Sequence, residues 1–383
     1  MDAELKNLAD SNLLRRITHL KPLGPAKFLL NGKEVINAAS NNYLGLTHHP
    51  EVIRKIKEFV EIYGAGSGAS RLVVGSFDLH NELEMEIAKI KGCEDSIVFS
   101  SGYAANVGTI SSLVGKEDVI FSDELNHASI IDGCRLSKAK IVVYKHRDIY
   151  DLEKKLKIRD DFRRALIVTD TVFSVDGDVA PIKEIKKLAV EYNAIFMVDE
   201  AHATGVFGEK GGGVTEELGV KVDVNMGTLS KALASQGGYV AGSRTLKEFL
   251  VNKARSFIYS TALNPASVAA ALAALKVIRH DPEIRRKLWS NVRYLRRGLK
   301  EMGFQILSEE SQITPVLIGG EREGVEFSKL LLEYGVFCPI LRYPTVPRGK
   351  SRVRVSVTAA HEREEIDAIL YAFEKAKKVV GNV

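Results

Sequence analysis

Three residues in the middle of the chain have types and an order that could form one chemical site: Asp199, His202 and Lys231. Lys231 stands in GTLSKALASQGGYVAGS, residues 227–243, among glycines, alanines and hydroxyl side chains, and its nearest charged neighbours in sequence are Asp223 and Arg244. A lysine in apolar, small-residue surroundings has its pKa lowered and becomes usable as a nucleophile and base. Asp199 closes the apolar run AIFMVD, where a carboxylate is costly unless a partner satisfies it. Taken singly, each residue has a plain structural explanation: a capping aspartate, a hydrogen-bonded core histidine, a snorkelling lysine. Together they favour function, because each follows a strand-like run and ligands of open α/β sheets bind beyond the carboxyl ends of the strands.

The chemistry this set suits is that of pyridoxal phosphate, which needs a lysine for its aldehyde, an acid for its pyridine nitrogen and donors for its phosphate. Asp199 suits the second need. SSGYAANVG supplies a strand end, a glycine and a helix N-terminus at Gly102 and Tyr103, where backbone N–H groups and the helix dipole hold a phosphate dianion. Thr228, three residues before Lys231, adds a hydroxyl. In sequence the lysine is set apart from carboxylates, as a group that must meet an aldehyde should be.

The elements that would position these groups can be read from hydrophobic patterning. Seven short runs rich in β-branched and aromatic residues, DSIVFSS, DVIFSD, KIVVYKH, ALIVTDTVFS, AIFMVDEAH, VDVNMGTLS and GGYVAGS, read as buried strands. Amphipathic or alanine-rich stretches lie between the first six, which predicts a mostly parallel α/β sheet covered on both faces. Only the Lys231 segment separates the last two runs, too short for a crossover helix, so the last strand is expected to be antiparallel. An N-terminal arm over residues 1–45, a large domain over 46–281 and a smaller C-terminal α/β domain over 282–383 complete the expected organisation.

Over most of its length, from Arg15 to the closing helix, the sequence resembles the α-oxoamine synthases, pyridoxal-phosphate enzymes of the aminotransferase-like fold type I. SNNYLGL, GSGASRLVVGSFDLHNELE, SSGYAAN, DELNHASIIDG, VFSVDGDVAP, VDEAHATGVFGEKGGG, GTLSKALASQGGYVAGS, YSTALNP and PTVPRGKSRVRVSVTAAH follow one another in that family's order and approximate spacing. The resemblance implies that Lys231 binds the cofactor aldehyde, Asp199 pairs with the pyridinium nitrogen, His202 contacts the ring hydroxyl and His127 stacks on the ring face. It places Gly102, Tyr103, Ser174 and Thr228 near the cofactor and has Ser260 or Thr261 complete the phosphate site from a second subunit of a homodimer. It gives Arg354 the amino-acid carboxylate and makes Asn41, Arg15 and Thr345 substrate contacts. Two departures stand out: SVDGD where SMDGD is usual, and Asp170 where some members have glutamate. Arg342 followed by YPTVP is most similar to the branch that joins L-alanine to pimeloyl-CoA or a pimeloyl carrier protein. Glycine with acetyl-CoA, or acceptance of both pairs by one enzyme, is the alternative.

Composition and motifs weigh against other classes. Lys and Arg outnumber Asp and Glu by only 54 to 49 with the charges interspersed, so the basic balance does not imply a nucleic-acid or membrane partner. VDEAHATG contains the DEAH of a helicase family, but no G-x-x-x-x-G-K-[ST] loop accompanies it. No histidine pair has H-E-x-x-H spacing, so no metal is expected. Three dispersed cysteines and the lack of an apolar leader or span suit a cytoplasmic protein.

Overall fold

The computed structural model describes residues 1–10, 13–14 and 17–381. Three N-terminal strands, β1 (Lys21–Pro22), β2 (Lys27–Leu30) and β3 (Lys33–Asn37), precede the long helix Pro50–Tyr63. The central sheet holds β4 (Asp95–Phe99), β5 (Val119–Asp123), β6 (Lys140–Tyr144), β7 (Ala165–Asp170), β8 (Ile195–Asp199), β9 (Val224–Thr228) and β10 (Gly238–Gly242). Its spatial order is β4-β10-β9-β8-β7-β5-β6. These are the seven strand-like runs of the sequence. Every residue of β5, β7, β9 and β10 is buried, which explains their continuous apolar character: helices cover both faces, leaving no face to alternate with water.

Strand β10 runs antiparallel to both β9 and β4, while β5 to β9 pair in parallel. The antiparallel turn follows from the short connection, residues 229–237, which carries Lys231 in place of a helix. A third sheet combines β11 (Thr314–Gly319), β13 (Ile340–Leu341) and β14 (Ser351–Val355) in the order β11-β14-β13. The remaining strand, β12 (Val336–Phe337), pairs in parallel with β3 and so joins the N-terminal strands to the C-terminal part of the chain. Among the described residues no helix is long and apolar enough to cross a membrane.

Candidate active site

The strands of the central sheet deliver the chemistry at their carboxyl ends. Asp170 closes β7 and Asp199 closes β8, and the two are direct register partners. Both are buried. Lys231 follows β9 by three residues in an irregular loop. The fold corrects the apparent isolation of this lysine, because carboxylates far away in sequence act on it in space. Burial lowers its pKa most, Asp199 and Asp170 oppose that, and Arg354 adds to it; the result is a pKa of about 8. A free amine is therefore far more accessible near neutral pH than the ordinary lysine value of 10.5 would allow.

Asp199 anchors a chain of hydrogen bonds. Its Oδ1 accepts from the backbone N–H of Ala201 at 2.8 Å and its Oδ2 from the Asn106 amide at 2.7 Å. The same Asn106 amide donates to Ser129 Oγ at 2.8 Å, and Ser129 Oγ lies 2.7 Å from His127 Nδ1. His127 caps the helix Ala128–Ser137, its Nδ1 accepting the backbone N–H of Ser129 at 3.2 Å. Nδ1 is thereby an acceptor, and the proton of the neutral ring sits on Nε2. Burial lowers the His127 pKa, with Asp199 opposing and Lys231 assisting.

Asp170 differs from its neighbour. Its Oδ2 accepts the backbone N–H of His127 at 2.8 Å. Burial and the adjacent Asp199 charge push its pKa well above the usual carboxylate range, and the His127 N–H and Lys231 only partly offset this. Two carboxylates side by side at low dielectric cannot both ionise freely, and this pairing favours the protonated form of Asp170.

A second cluster enters from the N-terminal arm and β14. The Tyr43 hydroxyl lies 2.6 Å from His202 Nδ1, accepts from Arg354 Nη2 at 3.0 Å and lies 3.1 Å from Asn41 Oδ1. Arg354 also donates from Nε to the Ser174 carbonyl at 2.6 Å and from Nη2 to Asn41 Oδ1 at 3.1 Å. Burial, followed by the charges of Lys231, Arg354 and His127, holds His202 well below the ordinary histidine value. The structure therefore brings together Lys231, Asp199, His127, His202, Arg354, Asn41 and the Ser174 backbone.

At the opposite end, Ser101 caps the helix Gly102–Leu113 by accepting the Ala104 N–H at 3.0 Å. The N–H groups of Gly102 and Tyr103 occupy its open first turn. A Cβ on Gly102 would lie 3.2 Å from the Met226 methyl and 3.4 Å from the Thr228 hydroxyl, so the bare glycine backbone and Thr228 adjoin. The Thr228 proton is committed to the Gly237 carbonyl at 2.9 Å. Ser230, 2.8 Å from Thr228 Oγ1 and exposed, sets a second hydroxyl beside it. Tyr103 is half exposed, its hydroxyl donating to Asp132. Thr261 is exposed and bridges Ser70, with Ser260 half-buried beside it. Thr345 is exposed in a turn and donates its N–H to the Arg342 carbonyl at 2.9 Å. Among the described residues no contact draws Ser260, Thr261 or Thr345 into the Lys231 cluster. Arg15 lies outside the described residues.

Sequence reasoning missed the supports of this site. His146, just past β6, is clamped between Asp123 at the end of β5, 2.9 Å from Nδ1, and Asp178 in the SVDGD loop, 2.6 Å from Nε2. Burial opposes its charging, but the two carboxylates overcome this and raise its pKa to about 9. Glu310 accepts from the Val179 N–H at 2.7 Å and from Arg147, and Arg352 on β14 pairs with Asp176. The loop bearing Ser174 is thus tied to two parts of the chain. Behind Asp199, the fully buried Lys91 and Glu200 form an ion pair that also binds Thr204, Thr215 and Asn225. The only local signal for it was the glutamate of DEAH.

A lysine, a buried acid and a histidine at the carboxyl edge of a seven-stranded, mostly parallel sheet define a class, and the family model for aminotransferase class I and II matches residues 33–373. The chain belongs to that family. It is 49% identical over 379 residues to the 8-amino-7-oxononanoate synthase of Thermoanaerobacter pseudethanolicus, covering 98% of this chain and 96% of that protein. The 8-amino-7-oxononanoate synthase of Lysinibacillus sphaericus is 47% identical over 382 residues, covering 99% of this chain and 98% of its own. Among solved structures, serine palmitoyltransferase from S. paucimobilis with a bound PLP–myriocin aldimine superposes with a TM-score of 0.94 at 34% identity, covering 100% of this chain and 98% of that one.

Proposed function

We propose that the protein is a pyridoxal-phosphate-dependent acyltransferase that joins L-alanine to a pimeloyl thioester, giving 8-amino-7-oxononanoate with release of carbon dioxide and the free thiol. The name shared by relatives at 49% and 47% identity supports the reaction. The observation that carries the reading is the pairing of a lysine of pKa about 8 with a buried Asp199 at one sheet edge.

The donor set fits the cofactor. Asp199 keeps acceptor capacity beyond its bonds to Ala201 and Asn106. A Cβ at Gly102 would press on Met226 and Thr228, and the open turn there offers N–H donors, as a phosphate site requires. Once bound, pyridoxal phosphate supplies an aldehyde for amines and an electron sink for a carbanion at the amino-acid Cα. The chain's own residues do the rest. Lys231 Nζ would hold the aldehyde and serve as the base for the Cα proton. Asp199 would hold the ring nitrogen, His127 would lie against the ring with Nε2–H toward the reacting groups, and His202 would hold the ring hydroxyl. The Gly102 and Tyr103 N–H groups and the Ser230 hydroxyl, set beside Thr228, would hold the phosphate. Arg354, oriented by Asn41 and the Ser174 carbonyl, takes the alanine carboxylate in its planar fork.

In this reading the enzyme is a homodimer, with the exposed Thr261 and neighbouring Ser260 of one copy completing the phosphate site of the other. Arg15 and Thr345 contact the acyl substrate, and the chain divides into an arm over 1–45, a large domain over 46–281 and a small domain over 282–383. Three free cysteines suit the cytoplasm. The decisive experiment compares kcat/KM for alanine with pimeloyl-CoA, glycine with acetyl-CoA and serine with palmitoyl-CoA on one preparation. Alanine with pimeloyl-CoA should lead clearly; a preference for either other pair overturns the substrate assignment.

A further inference from the structure

The Tyr43 hydroxyl joins three parts of the chain: His202 beyond β8, Arg354 on β14 and Asn41 in the arm, at 2.6, 3.0 and 3.1 Å. The tyrosine is fully buried, so its hydroxyl must be satisfied by these groups. A guanidinium has no acceptor, so Arg354 donates and the phenolic oxygen accepts. One phenolic proton then remains for two acceptors. Asn41 Oδ1 already receives Arg354 Nη2 at 3.1 Å, whereas His202 Nδ1 has no other donor among the described residues. Donation from the cationic arginine polarises the phenol, making it a stronger donor and a weaker acceptor. The proton therefore goes to His202 Nδ1 across the shortest of the three contacts. His202 is neutral, because burial and the surrounding charges of Lys231, Arg354 and His127 all oppose a second proton. A neutral imidazole that accepts at Nδ1 carries its own proton on Nε2.

We propose that Tyr43 is a positioning residue that fixes His202 as the Nε2–H tautomer and couples this imidazole to Arg354 through a single hydroxyl. The role for His202 rests on the function proposed above; the tautomer itself does not. A carboxylate that engages Arg354 draws on the same guanidinium that polarises Tyr43, so binding at the arginine is felt at the donor that His202 turns toward the cofactor. Gln312, which donates to the His202 carbonyl at 2.8 Å, packs on the same residue and holds the histidine backbone in place.

The test uses Tyr43→Phe, which keeps the buried ring and removes only the hydroxyl. Histidine ¹⁵N spectra of the full chain without added cofactor, with His202 assigned by its loss in His202→Gln, should show Nε2–H in the unmodified protein and a tautomer mixture in Tyr43→Phe. In the holoenzyme, the pH midpoint of the bound cofactor's visible absorption should move by about one unit in Tyr43→Phe, the scale of one hydrogen bond. The same change made on the His202→Gln background should leave that midpoint still. The KM for alanine should rise more than kcat falls. An Nδ1–H tautomer in the unmodified protein overturns the proposal at once. So does a Tyr43→Phe variant with unchanged tautomer and midpoint and only a lower melting temperature, which would reduce Tyr43 to packing. Failure of every acyl-transfer assay with the tautomer as stated would count against the proposed reaction and leave the Tyr43 assignment standing.

Discussion

Replacing His146 with glutamine should cost the protein a pH-dependent share of its stability. The imidazole is only 18% exposed and lies between Asp123 and Asp178, so solvent screens the interaction little. Raising its pKa from 6.5 to about 9 corresponds to on the order of 3 kcal/mol in favour of the folded chain. Because the folded value lies above the unfolded one, that contribution is complete below pH 6.5 and disappears as the pH rises through about 9. The natural protein should therefore lose roughly 5 °C in melting temperature between pH 6.5 and 9.5 from this group. His146→Gln should start lower at neutral pH, since Asp123 then loses its imidazolium and Asp178 keeps only Arg147 at 3.4 Å, and should change little over the same interval. Thermal unfolding of both proteins at closely spaced pH values measures the difference. Parallel curves for the two proteins across that window would refute the clamp.

Three further outcomes follow from the same geometry. The rate at which the cofactor-free chain takes up pyridoxal phosphate should rise with pH to a midpoint near 8, the Lys231 value, and Lys231→Ala should abolish both the visible band and the borohydride-fixed label on peptide 227–243. Asp170→Asn keeps the shape and the neutrality of a protonated carboxyl, so kcat/KM at pH 7 should stay within about threefold; a loss of several orders of magnitude would mean that Asp170 works as an anion. Arg354→Lys removes the fork that reaches Asn41, Tyr43 and the Ser174 carbonyl together, so the alanine KM should rise roughly tenfold or more, read from initial rates at saturating thioester.

Local patterning made the central sheet legible. Six of the strands could be read because they are buried on both faces, and the exposed edge strand β6 because its β-branched run Ile141–Val143 still marks it; the antiparallel last strand could be inferred because residues 229–237 leave no room for a helix. Asp199, His202 and Lys231 stood out for the complementary reason that each is a polar residue just past such a run. The partners of these residues carried no comparable signal. Tyr43 meets His202 across 159 residues, Asn106 meets Asp199 across 93, and His146 meets Asp178 across 32. Nothing in a single sequence records such meetings, since each residue alone is an ordinary core tyrosine, helix asparagine or loop histidine. The protonation of Asp170 was hidden for the same reason: it depends on the register that sets Asp170 beside Asp199. Strands β1 to β3 escaped notice because they are short and alternate little, and β12 because two residues make no pattern.

The parallel pairing of β3 with β12 constrains the order in which the enzyme can be born on the ribosome. Asn41 and Tyr43 are made early, yet the backbone beside them is held by Phe337, which receives the Ala38 N–H at 3.1 Å, and by Ser356, which donates to the Ala38 carbonyl at 2.8 Å. Arg354 arrives between those two anchors. A nascent chain that has emerged only as far as the closing strand of the central sheet can assemble Asp199 and Lys231, but its substrate-facing wall must wait for residues synthesised more than a hundred positions later. Nonlocal pairing of this kind is slow to form. Asp199 and Lys231 are therefore made, and can be placed by the central sheet, before Arg354 arrives to close its contacts with Asn41 and Tyr43.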